Sequence, residues 1–130
     1  MRGRTLDSDD DNVFGEATYE WLPGGFFLVQ RIQLNFMGMD IQSTELIGHD
    51  PETGAFASSV YSNLSGLPLP YKWDLQGDVL KISVQYGPLD ASFEGQFSSD
   101  GESFAGGWRP TPGKEGPANV PYDIGGYRVK

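Results

Sequence analysis

The chain has 130 residues, a length that favours one domain spanning residues 1–130. With 38% hydrophobic residues, among them 8 Phe, 6 Tyr and 3 Trp, it can bury one sizeable core, which excludes a disordered chain. The net charge of −9, with the nine Lys and Arg scattered rather than striped, excludes nucleic acid and anionic membrane surfaces as natural partners.

The 18 Gly and 9 Pro leave no stretch free of both that is longer than Phe26–Met37, so helices of ordinary length would carry costly breakers. A helical bundle is excluded, and no apolar run approaches the ~20 residues of a transmembrane helix. The absence of cysteine removes disulfides, thiolate metal sites and thiol catalysis together. Met1–Leu6 carries no apolar signal region, and the expected location is cytoplasmic.

Between turn signals the segments alternate apolar and polar with period two, the pattern of half-buried antiparallel strands. In chain order the sequence predicts strands at Arg2–Leu6, Phe14–Trp21, Gly25–Phe36, Met39–His49 and Ala55–Ser62. They continue at Tyr71–Gln76, Val79–Tyr86, Leu89–Phe97, Ser103–Arg109 and Tyr122–Val129. Asp7–Asn12, with four Asp, reads as a solvated loop; it lacks the Gly and terminal Glu of a calcium loop. Pro110–Pro121 reads as one long surface connection. The turns at Pro23-Gly24, Asp50–Gly54, Gly77-Asp78 and Asp100-Gly101 supply fixed or positive φ.

These turns set a register. A two-residue turn at Pro23-Gly24 places Trp21 opposite Phe26, Tyr19 opposite Leu28, Ala17 opposite Gln30, and Glu16 beside Arg31 as an outer-face ion pair. A Met37-Gly38 tip places Phe36 opposite Met39 and Gln30 opposite Glu45. The later turns pair His49 with Phe56, Trp73 with Ile82, and Phe93 with Trp108. Apolar faces meet apolar faces throughout, and a one-residue slip would invert every side chain. Such a meander buries its apolar face by closing. The expected fold is all-β: an antiparallel up-and-down meander of 8–10 strands forming a small barrel.

Three segments carry a resemblance as well: Tyr19-Glu20-Trp21-Leu22-Pro23-Gly24-Gly25, Glu45-Leu46-Ile47-Gly48-His49-Asp50-Pro51-Glu52-Thr53-Gly54, and Ser99-Asp100-Gly101 followed by Gly106-Gly107-Trp108. They resemble an uncharacterised bacterial family, a domain of unknown function whose members look like lipocalin-type (calycin) barrels. The resemblance spans nearly the whole chain and implies a barrel with a central cavity; it supplies no activity and no catalytic residues. Family members begin with a short helix and a Gly-x-Trp strand that would precede Met1. Without that segment the barrel is expected to be less complete beside its first strand.

The inner face concentrates its polar residues on three consecutive strands: Gln30, Ser43, Glu45, Ser58 and Ser62. Around them the inner positions are apolar or aromatic, including Tyr19, Trp73 and Trp108. A mostly apolar surface with a few convergent polar groups is the composition of a ligand cavity. The competing reading is that Gln30 and Glu45 satisfy each other, or that Glu45 faces water. His49, the single histidine, precedes Asp50 but sits at a turn where a solvated polar residue is routine. One histidine and no cysteine argue against zinc, and a histidine at a turn argues against haem. No metal and no cofactor are expected. Gly106-Gly107 and Gly125-Gly126 follow no phosphate-binding pattern; they let the barrel bend or a bulky neighbour such as Trp108 pack.

Three functions fit. The leading one is binding of a small apolar or amphipathic molecule in the lumen. The second is an isomerase- or cyclase-type enzyme using Glu45 as acid or base. The third is a solidly packed structural domain, with Phe14, Phe27 and Tyr61 on the outer face marking a homodimer interface.

Overall fold

The computed structural model describes residues 1–128, and every regular element among them is a strand. The strands are β1 (Arg2–Thr5), β2 (Val13–Trp21), β3 (Phe27–Phe36), β4 (Met39–His49) and β5 (Phe56–Ser62). They continue as β6 (Leu69–Gln76), β7 (Val79–Tyr86), β8 (Leu89–Phe97), β9 (Ser103–Pro110) and β10 (Tyr122–Tyr127). Each pairs antiparallel with its sequence neighbours, and β1 pairs with β10, so the meander closes into a ten-stranded barrel. Closure gives the first and last strands partners on both sides, which is how a long meander limits edge-to-edge aggregation. Beyond Gly15, β2 lacks a strand on its β1 side among the described residues. The expected extension of the last strand to Val129 lies outside the described residues.

The register follows the turn chemistry almost everywhere. Phe36 faces Met39, Gln30 faces Glu45, His49 faces Phe56, Trp73 faces Ile82 and Phe93 faces Trp108. The first hairpin differs. Trp21 pairs with Leu28 and Tyr19 with Gln30, two residues away from the two-residue-turn register. Gly24 and Gly25 both take positive φ, at 100° and 74°, and Leu22 bonds across to Phe27, so four residues make the turn instead of two. A two-residue shift keeps the inner and outer faces and changes only the partners. Arg31 therefore faces Thr18 rather than Glu16, and its ion pair is with Glu20.

The seam at β1 is short: two residue pairs join it to β2 and four to β10. The ring still closes there. Thr5 on β1 and Val13 on β2, where the two strands meet, are among the most buried side chains at 1% and 0% exposure, while the inner residues Tyr19 and Trp21 farther along β2 stay exposed.

The two ends of the barrel are built differently. At one end the connections are stitched together. Leu6 bonds to Pro121 and Met37 to Asn12, while the Asn12 and Thr5 side chains bond to each other. In the connection between β9 and β10, Asn119 is buried. Its Oδ1 accepts from the Asp90 backbone at 2.8 Å, and its Nδ2 donates to the carbonyls of Pro88 (3.0 Å) and Lys114 (2.8 Å). Inside this end, rings from strands that are not neighbours meet across the interior. Phe36 on β3 packs edge-on against Tyr122 on β10 with centroids 4.9 Å apart, and Tyr71 on β6 meets Trp108 on β9 at 6.0 Å. These rings form a floor.

The opposite end carries the tips of β2–β3, β4–β5, β6–β7 and β8–β9. Tyr19, Trp21 and Leu75 belong to the inward-facing rows yet stay 56%, 65% and 47% exposed, and Phe26 at the β2–β3 tip is 79% exposed. The two ends thus differ, one stitched together over a cluster of rings and the other rimmed with exposed aromatics. The glycines of β8–β10 leave room for large rings beside them. A Cβ on Gly95 or on Gly106 would lie 2.6 Å from the Phe93 ring, and one on Gly126 would lie 2.8 Å from Phe104. The bulky neighbours they admit are thus Phe93 and Phe104 rather than Trp108.

Candidate functional site

Gln30, Glu45, Ser58 and Trp73 lie on consecutive strands, in the half of each strand nearer the rim. Gln30 on β3 faces Glu45 on β4, Ser58 on β5 is diagonal to Glu45, and Trp73 on β6 is diagonal to Ser58. Diagonal neighbours on one face of a sheet are within reach of long side chains, and here the reach is used. Ser58 Oγ donates to Glu45 Oε2 at 2.5 Å, and Trp73 Nε1 donates to the same oxygen at 3.0 Å while also lying 3.0 Å from Ser58 Oγ. Two donors therefore fix one carboxylate oxygen, and Oε1 takes part in neither bond.

Gln30 does not pair with Glu45. Its Nε2 donates to the Tyr19 hydroxyl at 2.8 Å, and its Oε1 is buried with no hydrogen-bond partner among the described residues. Gln30, Glu45 and Ser58 are 7%, 8% and 7% exposed. A buried carbonyl left unpaired costs about 1–3 kcal/mol, so this atom is a place where the barrel is incompletely satisfied by its own side chains. Both anticipated alternatives for Glu45, mutual satisfaction with Gln30 and exposure to water, give way to a third arrangement in which each residue is held by a different partner.

Burial raises the Glu45 pKa above the ordinary carboxylate value, and the bonds from Ser58 and Trp73 only partly oppose the shift. The same burial, reinforced by the Glu45 charge, pushes Tyr71 up to about 12. Tyr19 is raised for similar reasons, its bond with Gln30 pulling the other way. Tyr122, in the floor, is also raised, by burial and by its neighbour Tyr71.

Of the residues singled out in the sequence, Tyr19, Gln30, Glu45, Ser58 and Trp73 fall into these two adjoining hydrogen-bonded groups. Ser43 and Ser62 face each other across β4 and β5, farther from the rim. Trp108 lies in the floor against Phe93 and Tyr71 and is not among the donors to the carboxylate. Tyr71 faces Ser58 in register and is the site residue that sequence reasoning passed over; its position opposite Ser58 was the available signal. His49 is exposed, with its ring against Phe56 at 4.6 Å. Asp50 beside it accepts the Glu52 backbone N–H at 2.9 Å, which holds its carboxyl below the ordinary range. That pair is turn chemistry.

Two concavities lie on the outer wall. One of about 330 Å³ is bordered by Glu16, Arg31, Gln42 and Tyr61, and a shallower one of about 600 Å³ by Arg2, Arg4 and Asp123. Neither is lined by Gln30, Glu45, Ser58 or Trp73. Phe14, Phe27 and Tyr61 stand outside the barrel at 44%, 46% and 49% exposure. Phe14 lies under the Arg2 guanidinium, and Phe27 covers Gly48.

Compared with known proteins, the chain matches no family model and no curated protein sequence.

Proposed function

We propose that this protein binds a small amphipathic molecule in the lumen of the barrel, and that the closed up-and-down ring is a calycin-type barrel of the kind its sequence resembles. One observation carries the reading: a buried Gln30 Oε1 without a partner stands beside a carboxylate with one uncommitted oxygen, on an otherwise apolar inner wall. A ligand that donates hydrogen bonds to this wall would complete it, and the rings of Tyr71, Trp73 and Trp108 would take its apolar body. Those three rings face inward yet stay only half-buried, as they would in an interior meant to receive something. Strand number agrees, since about eight strands already give a barrel that side chains can fill and ten give a wider one.

Native mass spectrometry of the gently purified protein tests this, with denatured protein as the control. A small molecule carried by the folded protein and lost on unfolding supports the reading. Failure to retain or take up any amphiphile refutes it.

The enzyme reading keeps one supporting observation, that burial raises the pKa of Glu45, the direction that acid–base work by a carboxyl group asks for. Turnover of the bound molecule, abolished in Glu45→Gln with binding retained, would separate it from simple binding.

A further inference from the structure

Resting on the lumen-binding reading, we infer that the ligand is a protonated primary or secondary amine carried on an apolar body, its N–H groups shared between Glu45 Oε1 and Gln30 Oε1. The interior offers acceptors. Glu45 Oε2 is already committed to Ser58 and Trp73, and Gln30 has already used its amide donor on Tyr19. What remains on adjacent strands is one carboxylate oxygen outside those bonds and one buried amide oxygen without a partner. A hydroxyl brings one hydrogen and a carboxylate brings none. An ammonium brings two or three, together with the charge that compensates a buried carboxylate.

Charge sharpens the choice. Every Lys and Arg among the described residues is exposed, so the interior holds a carboxylate and no fixed cation. A fatty acid would bring a second carboxylate beside Glu45 with nothing to neutralise either, and like charges in a desolvated site repel strongly. A cation would meet Glu45 and the aromatic faces of Tyr71 and Tyr19, both close enough for the Glu45 charge to raise their pKa values. The net charge of −9 works in the same direction at long range, drawing cations and repelling anions.

The test is a set of ligands sharing one ten-carbon chain: decylamine, decanol, decanoate and decyltrimethylammonium. Each is titrated below its micelle concentration against the full chain at neutral pH, with tryptophan fluorescence and melting temperature as readouts. Decylamine should bind about tenfold or more tighter than decanol, the worth of a charged over a neutral hydrogen bond, and decanoate most weakly. Decyltrimethylammonium, with the charge but no N–H, should fall below decylamine. Glu45→Gln should bring decylamine to within about twofold of decanol. Gln30→Met, which leaves the carboxylate, should lose part of the preference.

If decanol or decanoate equals decylamine, the amine assignment is overturned while lumen binding stands. An amine preference that survives Glu45→Gln means attraction to the acidic surface, and overturns it as well. Equal binding of decylamine and decyltrimethylammonium overturns the donor pairing. If none of the four binds, the lumen reading falls too.

Discussion

Replacing Glu45 by Gln should stabilise the protein at neutral pH, an unusual sign for a buried hydrogen-bonded side chain. The amide is nearly isosteric. Its oxygen can take the place of Oε2 and keep the bonds from Ser58 and Trp73, and its nitrogen then lies on the side of Gln30, where it can donate to the orphan Oε1. Exchanging a charged for a neutral acceptor weakens each retained bond by about 1 kcal/mol, while satisfying a buried carbonyl returns about 1–3 kcal/mol. The deciding contribution is desolvation. Because the pKa of Glu45 is raised despite its two donors, ionising it is less favourable in the barrel than in water. The folded state therefore holds this proton more tightly than the unfolded chain does.

The pH dependence follows from that. Below the ordinary carboxylate pKa both states are protonated and the penalty vanishes. As pH rises the unfolded chain ionises first, and stability falls until the folded-state pKa is passed, by about 1.4 kcal/mol for each pH unit separating the two values. Glu45→Gln removes that loss. Its advantage over the parent should be small below the ordinary carboxylate range, grow as pH rises through that range, and level off above the folded-state pKa. With the hydrogen-bond changes nearly cancelling, the neutral-pH gain reports the desolvation of Glu45, and the variant should melt above the parent at neutral pH and not below the carboxylate range. Thermal unfolding followed by tryptophan fluorescence between pH 4 and pH 8 reads it directly. A variant less stable than the parent by the same amount at every pH would refute the argument, because it would make the carboxylate's bonds worth more than its desolvation.

Other expectations are independent of the ligand. Tyrosinate absorbance at 295 nm should develop in part well above the ordinary phenol range, and Tyr71→Phe should remove a component titrating near pH 12; a single ordinary transition for all the tyrosines would contradict the desolvation of Tyr71 and Tyr122. Asn119→Ala should cost about 2–4 kcal/mol in urea unfolding, since it frees three backbone groups at the closed end, and should leave binding at the rim unchanged. Gly106→Ala should cost about 1–3 kcal/mol, because its Cβ would meet the Glu94 carbonyl at 2.5 Å and the Phe93 ring at 2.6 Å; an undiminished melting temperature would mean that β8 and β9 separate freely.

The fold was legible because two local signals coincide along this chain. Tight turns such as Gly77-Asp78 set which residues face each other, and period-two alternation says which of them point inward. Where the two agree, as with Trp73 opposite Ile82, the register is fixed before any long-range contact is considered. Strand ends were less legible. The β6 strand starts at Leu69 and runs through Pro70, which sits near the strand's beginning where a missing N–H is tolerated. The first hairpin misled because Pro23-Gly24-Gly25 offers two residues able to take positive φ, and both do.

That single hairpin decided how much of the site could be read. Alternation alone placed Gln30, Glu45 and Ser58 on the inner face, and a two-residue shift leaves that placement intact. It does change the neighbours, so the Tyr19 hydroxyl arrives opposite Gln30 and takes the amide donor that Glu45 was expected to receive. Glu45 is then left to Ser58 and Trp73 by diagonal contacts, which depend on side-chain length and strand twist rather than on pairing. The floor was beyond reach for a different reason. Phe36 and Tyr122 lie far apart in sequence and meet across the interior only once the ring has closed, so no hairpin register contains their contact. The sheet's local grammar reveals which side chains share the lumen. Which of their polar atoms remain uncommitted depends on the closed barrel, because a partner such as Trp73 reaches Glu45 from two strands away in the ring.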